Sequence, residues 1–336
     1  MNDYIKLIFC LLISFISCFI LCKLHLKFLA STPKNQIEVI EIKPTHKFKS
    51  LGGLDFIIAT LLPFILFNFK SFNNRSFITL IFTFLYFAII GLMDDLIKII
   101  CKDNKGLSGF IRIILEVIGS IIILNLLSIK FVEFVNIGNS YLYIGGFVIL
   151  YILICIVGLS NAINLTDGLD GLVAITFILA ITPFVYISIK QNNFIVCSFI
   201  VSLIGSLLAY LIYNFNPSKL IMGDVGSLSL GAILAVISFL LNKELLLLIS
   251  GLIYIVEVLS VILQVSYFKL THGKRIFKMA PIHYHFIKKG MKESNVVLLF
   301  VVIGIVLSIL ASIIGVRLWK YCYLVKENQF FILKNI

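Results

Sequence analysis

Charge is the scarcest property of this sequence. Of 336 residues, 13% are Asp, Glu, Lys or Arg, about half the share of an ordinary soluble domain. That scarcity excludes a water-facing surface along most of the chain. The seven cysteines form no C-x-x-C pair and lie almost entirely inside apolar runs. They read as small core residues, which excludes a disulfide framework or a cysteine-based metal site. Acidic residues are few, 16 against 28 Lys and Arg, for a net charge of +12. A basic surplus can mark a nucleic-acid partner. Here the cations lie between apolar runs and read as topology signals, so no nucleic acid is expected. There is no convincing repeat and no stretch that reads as a soluble domain.

Apolar residues fill the space that charge leaves: 60% of the chain. Runs of roughly 20 apolar residues recur from end to end, the length that crosses a bilayer as a helix. The expected fold is all-α, a single integral membrane domain over 1–336 with about ten spans. These are 4–22, 52–69, 76–93, 110–128, 141–160, 172–189, 194–213, 228–242, 245–267 and 295–318. The first run, Leu7–Cys22, does not read as a cleavable signal, because no basic segment precedes it. Alternate connections (23–51, 94–109, 161–171, 214–227, 268–294) are polar and rich in lysine. The positive-inside rule makes that set cytoplasmic and puts both termini outside.

The polar connections carry the chemistry. In Asn161-Ala-Ile-Asn-Leu-Thr-Asp-Gly-Leu-Asp-Gly-Leu172, polar residues recur every third position: Asn161, Asn164, Asp167, Asp170. On a helical or 3₁₀-like path they are neighbours on one face. Such carboxamides and carboxylates suit a sugar, a base edge or a hydrated Mg²⁺; capping in a glycine-rich turn is the plainer alternative. Gly91-Leu-Met-Asp-Asp-Leu-Ile-Lys98 ends the third run with a carboxylate pair that is costly to bury. Adjacent positions on a helix point about 100° apart, so Asp94 and Asp95 can serve different ligands. The basic loop after it, with Lys105, suits anionic headgroups or a phosphorylated substrate. Met222-Gly-Asp-Val-Gly-Ser227 places Asp224 just before the eighth helix, either as a metal ligand beside a phosphate-binding helix start or as a plain cap. His283 and His285, two apart in the most basic loop, share a side if the segment is extended. A zinc site there lacks further Cys or His; binding pyrophosphate or positioning substrate suits them better. Together these segments suggest a phosphoryl-transfer site at the membrane edge, reached by a lipid and a soluble anionic substrate.

The sequence resembles the phospho-N-acetylmuramoyl-pentapeptide transferase family, within the polyprenyl-phosphate N-acetylhexosamine-1-phosphate transferase superfamily. Asp94-Asp95, Asn161–Leu172 and Met222–Ser227 resemble superfamily motifs. Glu257-Val-Leu-Ser-Val-Ile-Leu-Gln-Val265 and Arg275-Ile-Phe-Lys-Met-Ala-Pro-Ile-His283 resemble those of the muramoyl branch. The resemblance runs from about residue 50 to 318. It implies a Mg²⁺-dependent, usually dimeric, multi-pass enzyme of the bacterial inner membrane. Such an enzyme moves phospho-MurNAc-pentapeptide from UDP-MurNAc-pentapeptide to undecaprenyl phosphate, yielding lipid I and UMP for peptidoglycan synthesis. It further implies Asp94, Asp95, Asp224 and His283 as catalytic residues, with Asp224 the metal ligand. Asn164, Asp167, Asp170, Asn214, Gln264, His285 and Lys105 are implied in substrate binding.

The chain departs from the family pattern in places. His46-Lys-Phe-Lys-Ser-Leu-Gly-Gly53 replaces a longer, threonine-containing loop. Tyr284 interrupts a run of three histidines, and Ile287 lies near where a Glu is usual. Arg112 stands where a Lys is usual and Glu116 where a Gln is usual. The alternatives are a related GlcNAc-1-phosphate transferase, a transporter, and an inactive remnant. Segment 275–283 argues against the first. The second is disfavoured because only Glu116 and Glu257 approach the midplane and no repeat is evident.

Overall fold

The computed structural model describes residues 2–31, 36–37, 45–46, 51–101, 106–127, 134–137, 140–143 and 147–334. Lys105 and the stretch 47–50 of the first polar connection lie outside the described residues. Among the described residues the chain is helical, apart from two short antiparallel hairpins. These are β1 (Gln36–Ile37) with β2 (Thr45–His46), and β3 (Phe134–Ile137) with β4 (Ser140–Tyr143). The helices are α1 (Asp3–Ser31), α2 (Gly53–Asn68), α3 (Arg75–Cys101), α4 (Gly109–Leu126), α5 (Phe147–Thr166) and α6 (Leu172–Lys190). They continue with α7 (Phe194–Asn214), α8 (Gly223–Leu240), α9 (Leu247–Ser250), α10 (Leu252–Leu270), α11 (Ile282–Lys288) and α12 (Glu293–Lys334). Ten of these, all but α9 and α11, are long and apolar enough to cross a membrane. In hydrocarbon a helix satisfies its own backbone, and here the apolar runs become helices over most of their length. The protein is a multi-pass membrane protein.

The helices reach further than the apolar windows do. The expected span 76–93 extends through Cys101, which puts Asp94, Asp95 and Lys98 inside α3. The expected 141–160 is shifted: residues 140–143 pair as a strand, and α5 carries Asn161 and Asn164 on its last turns. The expected 228–242 begins at Gly223, so Asp224 sits in the first turn of α8 and not ahead of it. Expected 245–267 splits at Gly251 into α9 and α10. In the first three cases the polar residues beyond the apolar window find partners on a neighbouring helix, which hydropathy does not register.

α8 is the centre of the bundle. Of its span 78% is buried, against 22% for α10 and for the span of α12, so the latter two lie on the outside of the bundle. Its core positions are Val225, Leu228, Leu230, Ile233, Leu234 and Ile237, all fully enclosed. α3 packs on its first turn at Gly91, where a Cβ would come within 2.2 Å of the Asp224 carbonyl oxygen. Only glycine permits that approach. α5 is tied to α8 by the Ser160 hydroxyl, which donates to the Leu228 carbonyl at 3.0 Å. At the same end α1 meets α2 through His25 and Asp55, 2.8 Å apart. There too the amides of Gly52 and Gly53 donate to the carbonyls of Ile221 and Met222. The ends of α3 and α5 thus converge with the starts of α2 and α8 on one face of the bundle.

Candidate active site

Asp94 and Asp95 come from the last turns of α3, and Asp224 comes from the first turn of α8. One carboxylate oxygen from each lies within 4.8 Å of the others. Asp94 and Asp95 are buried, and the Asp224 side chain is 15% exposed. Asp95 and Asp94 are fixed from behind. The Val225 amide at the start of α8 donates to Asp95 Oδ2 at 3.1 Å. The Leu107 amide donates to Asp94 Oδ1 at 2.8 Å. The free amide of a helix start, expected to favour a phosphate, is therefore already engaged at Val225 by a carboxylate.

Two cations and two amides balance this negative centre. Lys98, one turn along α3, places Nζ 2.9 Å from Asp224 Oδ2 and against Asp94 Oδ2, with Asp95 Oδ1 at 3.8 Å. Arg112 of α4 brings Nη1 to 3.7 Å from Asp224 Oδ2. Asn164 Nδ2 donates to Asp224 Oδ1 at 2.8 Å and to Ser227 Oγ at 2.9 Å. Three carboxylates face two cations, which leaves the cluster one positive charge short of neutral. Oxygen-only donors at this spacing suit a hard divalent cation.

Asp167 follows α5, outside the spans. Burial pushes its carboxyl up to about 8, and the negative charges of Asp224 and Asp95 add to the effect. It belongs electrostatically to the cluster. The other residues of the turn hold the scaffold. Asp170 Oδ2 accepts from the Ser218 amide at 2.9 Å, while its own amide donates to Glu293 Oε1 of α12 at 3.0 Å. Asn214 accepts from the Gly171 amide and donates to the Leu220 carbonyl. Gln264 of α10 accepts from the amides of Ile276 and Phe277, holding the start of the basic loop.

The two histidines do not share a side. They lie on α11, where residues two apart point about 200° from each other. His283 is fully buried, with Nδ1 3.1 Å from Glu257 Oε1. Its Nε2 faces Gly168, where a Cβ would come within 2.5 Å of it. Among the described residues no hydrogen bond or ion pair links His283 to the three aspartates. Tyr284 donates its hydroxyl to the Gly168 carbonyl at 3.1 Å, docking α11 on the Asn161–Leu172 turn. His285 turns outward and accepts from the Lys278 amide at 3.0 Å. Desolvation, then Lys289 and Lys278, hold its imidazole below the ordinary histidine value.

Sequence reasoning did not assign a site role to Lys98 or to Ser227 by itself. The signal for Lys98 was present: it stands three and four residues after the carboxylate pair, the helical spacing for contact.

The profile of Glycosyl transferase family 4 matches residues 77–242, the segment that contains the aspartate cluster. A phospho-N-acetylmuramoyl-pentapeptide-transferase of Listeria monocytogenes serovar 1/2a is 42% identical over 274 residues, covering 79% of this chain and 85% of that protein. A protein of the same name from Staphylococcus carnosus is 37% identical, covering 80% of this chain and 85% of its own length. One from Streptococcus pneumoniae serotype 19F is 40% identical, over 72% and 74% of the two chains.

Proposed function

Because the chain belongs to the phospho-N-acetylmuramoyl-pentapeptide-transferase family, we propose that it transfers phospho-MurNAc-pentapeptide from UDP-MurNAc-pentapeptide to undecaprenyl phosphate. The products are lipid I and UMP. The observation that carries this reading is the convergence of Asp94, Asp95 and Asp224 with Lys98 and Arg112 at the membrane edge. A lipid-borne phosphate reaches such a site from the bilayer and a nucleotide-sugar reaches it from water. Its lysine-rich loops make the site face cytoplasmic in a bacterial inner membrane. The whole chain acts as one transferase domain and works as a homodimer.

In the reaction an oxygen of the lipid phosphate attacks the β-phosphorus, which carries the sugar. The bond from that phosphorus to the bridging oxygen breaks, and UMP leaves with that oxygen. Asp224 and the neighbouring carboxylates would hold Mg²⁺, which supplies neutralisation of the diphosphate charge when bound. Asp94, anchored by the Leu107 amide, holds the lipid phosphate in line or takes its proton. Lys98 and Arg112 contact phosphate oxygens and favour the charge that develops on them. Asn164 and Asp167 face the donor. Asp170, Asn214 and Gln264 shape the pocket through the backbone groups they hold, and Lys105 and His285 are assigned to the anionic groups of the substrates. His283 acts from behind the Gly168 turn. Most of the rate then comes from positioning and electrostatics.

Glu116 and Glu257, the acids set deepest in apolar spans, are each engaged inside the protein, by Asn161 and His283. That supports an enzyme over a transporter. The test is to give the purified protein undecaprenyl phosphate and Mg²⁺ with either UDP-MurNAc-pentapeptide or UDP-GlcNAc. UMP release with the first alone supports the reading. Release with the second alone replaces it with the GlcNAc-1-phosphate reaction.

A further inference from the structure

Glu116 lies in the middle of α4, within an apolar span, and its side chain is fully buried. A buried carboxylate is costly, and an apolar or carboxamide side chain of the same size would avoid the cost. Its contacts say what the charge does. Asn161 of α5 donates Nδ2 to Glu116 Oε2 at 2.5 Å. Arg112, one turn earlier on α4, donates Nη2 to Asn161 Oδ1 at 3.0 Å. Arg112 Nε stands 3.8 Å from Glu116 Oε1, and neither atom has a hydrogen-bond partner among the described residues. The far side of the same guanidinium presents Nη1 to Asp224 at 3.7 Å.

The guanidinium thus has a hydrogen bond to Asn161, an ion pair with Glu116 and an ion pair with Asp224. Asn161 takes one edge, the Glu116 carboxylate attracts a second, and the third points at the aspartate cluster. Arginine suits this geometry because its donors are fixed in one plane, so restraint at one edge aims the other. The Nε to Oε1 gap is about 1 Å longer than a charge-assisted bond, a small movement for a side chain that is 25% exposed.

We propose that Glu116 is a positioning residue: with Asn161 it holds Arg112 so that Nη1 is presented to the donor's diphosphate beside Asp224. The proposal rests on the transferase reading for its substrate, since a diphosphate is what a nucleotide-sugar brings to that place. Glu116 touches neither substrate nor the carboxylate cluster and acts only through Arg112. The negative charge, not only the shape, of its side chain is what the arrangement uses.

The experiment is a double-mutant cycle on the full chain in detergent, with Glu116→Gln, Arg112→Lys and the pair together. Donor kinetics, calorimetric binding of UDP with Mg²⁺, and thermal midpoints are measured for each. Glutamine keeps an acceptor for Asn161 and removes the charge. Loss of the charge that attracts the Arg112 guanidinium predicts a rise of about tenfold in donor KM and in the UDP dissociation constant, with kcat changed little. In the Arg112→Lys background, which has no planar fork to aim, Glu116→Gln should add about twofold or less. A Glu116→Gln protein with a lowered midpoint but wild-type donor KM and UDP affinity overturns the proposal, as do losses that simply multiply in the pair. If the wild type binds UDP but transfers nothing, the transferase reading fails while the UDP arm still decides the role of Glu116. A wild type that neither binds UDP nor transfers refutes both.

Discussion

Gly91 of α3 lies against the backbone of Asp224 so closely that an added Cβ would come within 2.2 Å of its carbonyl oxygen and 2.4 Å of the Val225 nitrogen. This contact sets the distance between α3 and α8, and so between the Asp94-Asp95 pair and Asp224. The carboxylates converge because two backbones touch one turn away.

Gly91→Ala should therefore disturb the site without altering any polar residue. The obstacle is backbone, which cannot rotate aside, so the helices must part. Overpacking of this kind costs about 2 kcal/mol. The expected outcome is a lowered thermal midpoint and a loss of transfer of tenfold or more. Wild-type activity in Gly91→Ala would show that the α3–α8 spacing does not matter.

Lys98 offsets part of the charge of three carboxylates that repel one another within 4.8 Å. Lys98→Met removes that balance while keeping the length of the side chain. Transfer should fall by about a hundredfold, as when a donor to developing charge is lost. Folding should also come to lean on divalent cations, since a ligand that binds only the folded state stabilises it. The check is the thermal midpoint with millimolar Mg²⁺ and with a chelator. The difference between the two should be larger in the variant than in the wild type. An equal difference would argue that the cluster does not hold the ion.

Asp167 supplies a prediction on pH. Burial, then Asp224 and Asp95, raise its carboxyl from 3.8 to about 8. The folded protein therefore favours the neutral acid, while the unfolded chain ionises near 3.8. A raised carboxyl contributes stability that is fully present below the unfolded value and lost as pH climbs towards the folded one. Against an Asp167→Asn reference, the wild-type midpoint should decline between about pH 4 and 8 and then level off. A gap that is constant across that range would show that the Asp167 carboxyl is not raised in the fold.

The hydrophobic half of the structure was readable in advance because it is local. A run of apolar residues long enough to cross the bilayer announces its helix wherever it packs. The ends of the helices were less readable. Asp94 and Lys98 lie past the apolar window expected for α3, and the partner they meet, Asp224, is more than 120 residues away in sequence. The histidines show a second limit. His283 and His285 alternate along an extended chain, but the segment after Pro281 closes into the seven-residue α11. That turns one ring towards Glu257 and the other outward. Asp170 and Asn214 carry the residue types of a binding site, yet in the fold they bond the Ser218 and Gly171 amides. Spacing alone cannot separate a side chain that builds a pocket from one that lines it. Lys98 was passed over for the opposite reason, since a lysine near a helix end reads first as a topology signal.

The central claim is that the aspartates gathered at α3 and α8 perform phospho-sugar transfer to a lipid. The most direct measurement is lipid I formation from UDP-MurNAc-pentapeptide, undecaprenyl phosphate and Mg²⁺ by the purified wild type and by Asp224→Asn. The account predicts product from the wild type, none on addition of a chelator, and a loss of at least about a thousandfold in the variant at an unchanged fold. Substantial Mg²⁺-dependent lipid I synthesis by Asp224→Asn would contradict it.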